Sequence, residues 1–104
     1  MKAYCNIIDS KVMLSKLPKP DTESYSHILL NKEGVPTNIL NIKEYQQALK
    51  EFNDSIIGEA ENAERCYSDE VAFCVSLTGG YKGLKPNQPC EVEKSGDKYI
   101  IKSI

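Results

Sequence analysis

A chain of 104 residues, 40% apolar and 27% charged, is the size of one domain, large enough to bury a core without metal or disulfide staples and too small for two. Its net charge of −2 and ordinary composition exclude a low-complexity or disordered chain. The longest apolar runs, such as residues 28–30 and 71–75, fall far short of the roughly 20 residues that span a bilayer, and residues 1–6 lack the apolar stretch of a signal peptide, so a cytosolic protein is expected.

Residues 2–8 carry Tyr4, Cys5, Ile7 and Ile8 ahead of Asp9-Ser10 and read as a strand. Residues 10–17 fit two alternatives. Val12, Met13, Leu14 and Leu17 suit a short helix halted before Pro18, but a turn at Asp9-Ser10-Lys11 would start a second strand instead. Residues 17–23, with Pro18, Pro20 and Asp21, form a loop. A strand over 25–30, a turn at Lys32-Glu33-Gly34 and an extended piece over 35–40, which Pro36 confines to an edge or to irregular structure, make a hairpin that delivers the chain to a helix.

That helix has a readable start. Asn41 suits an N-cap, Glu44 stands where a capping box needs it, and Leu40 and Tyr45 occupy the positions of a hydrophobic staple. Ile42, Tyr45, Leu49, Phe52, Ile56, Ala60 and Ala63 then recur at steps of three or four, which places them in one stripe. The spacing predicts a helix over 42–66, roughly 37 Å long at 1.5 Å per residue. Gly58 is its weak point, where a bend or an early end would fall.

After a break at Ser68-Asp69, residues 71–77 form the best strand, with Val71, Phe73, Val75 and Leu77 on one face and Ala72, Cys74 and Ser76 on the other. Residues 78–89, with three glycines and two prolines, read as a long loop, and 90–94 and 98–103 as a hairpin turning at Ser95-Gly96-Asp97. The expected fold is an α+β domain over residues 1–104: one dominant amphipathic helix packed on a mostly antiparallel sheet of about four to six short strands.

Chemistry is less legible. The cysteines are spaced by 61, 8 and 16 residues with no C-x-x-C pair, so they predict no metal site; in apolar segments they read as buried free thiols. His27, the only imidazole, could activate any of the four thiols, and nothing selects one. The glycines after Thr78 run into Leu84-Lys85-Pro86 rather than a helix N-terminus, so they do not make a phosphate loop. No catalytic residue, metal ligand or cofactor is assigned.

Charge is more informative. Residues 44–70 hold eight carboxylates against Lys50 and Arg65, while residues 1–20 and 82–104 are basic. Arg65 is the only arginine, which disfavours sequence-specific nucleic-acid recognition. Glu44, Glu51, Asp54 and Glu61 fall opposite the apolar stripe, with Ile57 at its margin as an apolar anchor, and Tyr81 and Lys82 sit at the tip of the expected 78–89 loop. These residues form the candidate surface for a basic macromolecular partner, a protein, which a small acidic chain would inhibit or neutralise. The alternative is a small enzyme or ligand-binding domain using a cysteine and His27 in a pocket between sheet and helix.

Overall fold

The computed structural model describes residues 1–66 and 72–104. The chain opens with a hairpin, β1 (Lys2–Ile8) and β2 (Lys11–Ser15). Asp9 and Ser10 join the two strands with φ of 51° and 65°, the pair of positive values that a two-residue turn between twisted strands requires. The ambiguity over residues 10–17 therefore resolves to a strand.

An insertion follows. A single 3₁₀ turn (Glu23–Tyr25) leads to β3 (Ser26–Leu30) and β4 (Pro36–Leu40), which among the described residues pair only with each other, and then to α1 (Ile42–Asp54). The chain returns through β5 (Ile56–Glu59), β6 (Ala63–Cys66), β7 (Ala72–Leu77), β8 (Gly80–Leu84), β9 (Gln88–Ser95) and β10 (Lys98–Ser103).

Five strands form one sheet in the order β10-β9-β1-β2-β5, all neighbours antiparallel. β9 returns to lie beside β1, a Greek-key path. The two edges then meet. Ala60, just past β5, makes a parallel bridge to Tyr99 of β10, Glu61 N–H donates to the Tyr99 carbonyl at 2.8 Å, and Lys98 reaches Glu59 at 3.7 Å across the same seam. The result is a partly open five-stranded barrel. Its interior holds Ala3, Cys5, Val12, Leu14, Cys90, Val92 and Ile101. Phe73, Val75 and Leu84 of the second sheet, β6-β7-β8, complete that core.

Several expectations are corrected. The helix does not dominate, and it does not lie on the sheet: among the described residues there are ten strands in three sheets and one 13-residue helix. It begins as the sequence predicts, with the Asn41 side chain accepting from Glu44 N–H at 3.4 Å. The capping box is only half made, because Asn41 N–H goes to the Tyr25 carbonyl at 2.8 Å. It stops twelve residues before Cys66. Asn53, Asp54 and Ser55 are weak helix formers, and the Ser55 hydroxyl donates back to the Phe52 carbonyl at 2.6 Å, closing the last turn. The β-branched Ile56 and Ile57 then suit a strand. Beyond Phe52 the three-and-four spacing was coincidental: Ala60 and Ala63 are buried or half-buried from strand-like segments.

Residues 78–89 are not one loop. Thr78 and Gly79 form a two-residue turn with φ of 47° and 83°, and β8 runs antiparallel to β7. The larger face of β7 is buried as expected, but against the barrel rather than under the helix. The break expected at Ser68-Asp69, and Val71, lie outside the described residues.

The cysteine reading is half corrected. Cys66 and Cys74 form a disulfide, whereas Cys5 and Cys90 are buried free thiols. In the β6-β7 register Cys66 opposes Ala72 and Cys74 opposes Glu64, so the two cysteines are diagonal neighbours on one face. Spacing along the chain does not reveal such a cross-strand relation.

Candidate protein-binding site

Residues 16–55 stand off the barrel as an arm. The radius of gyration is 17.0 Å, with extents of 60 × 30 × 21 Å, against about 13 Å for a compact domain of this length. The arm is sewn down at its base. Lys16 N–H donates to the Ser55 carbonyl at 3.0 Å, Leu17 N–H to the Ser55 hydroxyl at 3.3 Å, and Phe52 is buried. Asn87, from the β8–β9 connection, holds the loop that enters the arm by a pairing that mimics a peptide group. Its Oδ1 accepts from Lys19 N–H at 2.7 Å and its Nδ2 donates to the Lys19 carbonyl at 2.9 Å.

Further out, contacts thin. Tyr45, Ala48 and Leu49 are half-buried, the Tyr45 ring meets Tyr25 with centroids 5.9 Å apart, and Ile42 is 58% exposed. The hairpin is more exposed still, with Ile28 and Leu30 each at 69% and Val35 at 53%. Asn31 organises its tip, the side-chain oxygen accepting from Glu33 N–H at 3.0 Å and Val35 N–H at 2.8 Å.

Between α1 and residues 17–25 runs a groove. Two hollows of about 370 and 490 Å³ share Tyr25, Ala48 and Glu51. Pro18 and Phe52 add to the apolar lining, and Glu44, Lys43, Asp21 and Lys19 border it. Just before the 3₁₀ turn, Asp21 Oδ1 accepts from Ser24 N–H at 2.7 Å, and the hydrogen bonds from Ser24 hold its carboxyl below the usual carboxylate range.

Of the residues singled out in the sequence, the groove brings together Glu44 and Glu51. Asp54 is exposed at the last position of α1. Ile57 is no margin of a helix face: it lies on β5, half-buried against the barrel core. Glu61 sits at the barrel seam, and Tyr81 and Lys82 are exposed on β8, a strand rather than a loop tip. α1 itself carries Glu44, Glu51 and Asp54 against Lys43 and Lys50, a net charge of only −1, and Glu59, Glu61 and Glu64 of the predicted 42–66 helix lie outside it. Tyr25, Asp21 and the two prolines were legible as strand and loop residues, but which helix face they meet is a tertiary fact.

The nucleophile constellation is not assembled. His27 is exposed on β3, Cys5 and Cys90 are enclosed in the barrel, and Cys66 and Cys74 are bonded to each other. Burial pushes the Cys5 thiol up to about 12, with the neighbouring Cys90 adding to the effect, and burial followed by the Glu91 charge pushes Cys90 to about 11. Among the described residues no group of three or more His, Cys, Asp or Glu is placed to hold a metal ion. No helix among them is long and apolar enough to cross a membrane. Comparison with family models, with curated protein sequences and with solved structures gives no match.

Proposed function

We propose that this protein works by binding another protein without catalysing a reaction, and that the groove beside α1 receives a basic segment of that partner. The observation that carries the reading is the groove's composition. Tyr25, Ala48 and Phe52 supply an apolar floor, and three carboxylates, Asp21, Glu44 and Glu51, stand on its border against two lysines, Lys19 and Lys43. An apolar floor with a charged rim is how a protein interface divides its labour: the floor holds the partner, and the rim steers it and sets its sign. Inhibition or neutralisation of the partner would follow from occupying its basic surface.

The enzyme alternative asks for a thiolate with a base in hydrogen-bond reach, and His27 belongs to the arm while the free thiols belong to the barrel interior. The cytosolic expectation drew on the missing signal-peptide stretch in residues 1–6 and the short apolar runs. The Cys66–Cys74 cross-link instead favours an oxidising compartment.

Selection of displayed peptides on the purified protein tests the reading. Lys- and Arg-containing sequences should be enriched, their binding should weaken as salt rises, and it should fall several-fold in the Glu44→Gln/Glu51→Gln variant. Tyr81→Ala, outside the groove, should leave it unchanged. Enrichment of acidic or uncharged sequences, or binding indifferent to the double substitution, would overturn it.

A further inference from the structure

The β3-β4 hairpin carries an unfilled hydrogen-bonding edge that matches itself. Asn41 N–H donates to the Tyr25 carbonyl and Asn31 N–H to the Val35 carbonyl, at 2.8 and 3.2 Å, bracketing the ladder. Bonded pairs alternate along antiparallel strands, so His27 and Leu29 turn their peptide groups toward β4. Ser26, Ile28 and Leu30 turn theirs outward, and no strand among the described residues pairs with that edge.

The opposite edge, on β4, is guarded. Its outward positions begin with Pro36, which has no N–H to offer. β3 has no such protection: Ser26–Leu30 contains no proline and no residue charged when His27 is neutral. A lone two-stranded hairpin is marginal in water, and stability comes with a third and fourth strand. This hairpin is also covered by little else, since its residues are exposed from His27 through Asn38.

We propose that β3 pairs antiparallel with β3 of a second copy of this chain, about a twofold axis through Ile28, making one four-stranded sheet. The register argues for a second copy rather than an unrelated strand. With Ile28 opposite its own equivalent, the two Ile28 residues exchange both hydrogen bonds, and each Leu30 N–H finds the other copy's Ser26 carbonyl. The Ser26 N–H is already held by the Glu23 carbonyl, so it leaves no unmet donor. The same register sets Ile28 and Leu30 of both copies on one face, merging two apolar strips that are separately 69% exposed.

Sedimentation of the purified chain from micromolar to millimolar concentration should show a reversible shift from 11.7 kDa to twice that mass. Ile28→Pro removes only an outward N–H, leaving the bonds to β4, and should hold the protein at the monomer mass; Asn38→Pro on the β4 edge should not. Ile28→Cys should cross-link to its own equivalent under mild oxidation, because bonded antiparallel pairs lie about 5.5 Å apart at Cα, within disulfide range. Leu30→Cys, which faces Ser26, should cross-link much less. A chain that stays monomeric throughout, or a dimer that persists in Ile28→Pro or cross-links equally through both positions, would overturn the proposal. The first outcome would leave the edge to a strand of another protein.

Discussion

The Asn62 carboxamide is bound at both ends by the backbone of Ile101: its Oδ1 accepts from Ile101 N–H at 2.9 Å, and its Nδ2 donates to the Ile101 carbonyl at 2.9 Å. Nδ2 also donates to the Ser76 carbonyl at 3.0 Å, while Ser76 N–H donates to the Asn62 carbonyl at 2.8 Å. One side chain thus stands in for a missing stretch of strand where the barrel edge, β10, meets β7 of the second sheet. Asn62→Ala removes three such bonds at about 0.5–1.5 kcal/mol each, so a loss of about 1.5–4.5 kcal/mol is expected in denaturant unfolding. A loss under about 0.5 kcal/mol, the range of an uninvolved surface position, would show that the two sheets are held by apolar packing alone.

The helix should respond very differently at its two ends. Phe52 is 3% exposed at the base of α1, where Leu17, Pro18 and Tyr25 line the same hollow, so Phe52→Ala should cost on the order of 3 kcal/mol. Ile42 belongs to the same apolar stripe in the sequence but is 58% exposed, and Ile42→Ala should cost less than about 0.5 kcal/mol. Equal costs in thermal or chemical unfolding would mean that the outer turns of α1 are covered after all.

What the sequence made legible was local. Asn41 shows its capping chemistry in its own side chain, β1 shows its end in the Asp9-Ser10 break after Tyr4, Cys5, Ile7 and Ile8, and β7 shows two faces by size. What it concealed was relational. β8 looks like a loop because Gly80, Tyr81, Lys82 and Gly83 bury nothing, and only Leu84 reaches the core. The Cys66–Cys74 bond and the groove between α1 and residues 17–25 both depend on register and docking, which periodicity along one element does not encode. The helix end was missed: the early end was expected at Gly58, while the accidental spacing of Ile56, Ala60 and Ala63 hid the weak helix formers Asn53-Asp54-Ser55.

Gly58 has a different role from the weak helix point that its position suggested. A Cβ built there would lie 3.0 Å from Cδ2 and Cε2 of the Tyr99 ring, where β5 closes on β10. Gly58→Ala should therefore destabilise the barrel by roughly 1–3 kcal/mol through crowding. Gly83 on β8 has nothing within 4 Å of its would-be Cβ, and Gly83→Ala should be neutral or stabilising by about 0.4–1 kcal/mol, chiefly through the unfolded chain. Measured melting midpoints that move together would place the tolerance elsewhere than in the Tyr99 contact.

The cysteines make the final prediction, which concerns alkaline pH. Cys5 and Cys90 ionise at 9.0 when exposed in the unfolded chain, but burial raises them to about 12 and about 11 in the fold. Between those values the unfolded state has released protons that the native state still holds. Stability is therefore fully present below pH 9 and falls as pH rises through the folded values. Replacing both residues by alanine should flatten that decline, even though the variant begins less stable because it has lost buried side-chain volume. Thiol counting gives an independent check. The unfolded, unreduced chain should react at two cysteines and the reduced chain at all four, while the native protein at neutral pH reacts slowly at any of them. Fast native labelling of Cys5 or Cys90, or an alkaline decline unaltered in the double variant, would show that the barrel interior is wetter than its buried residues indicate.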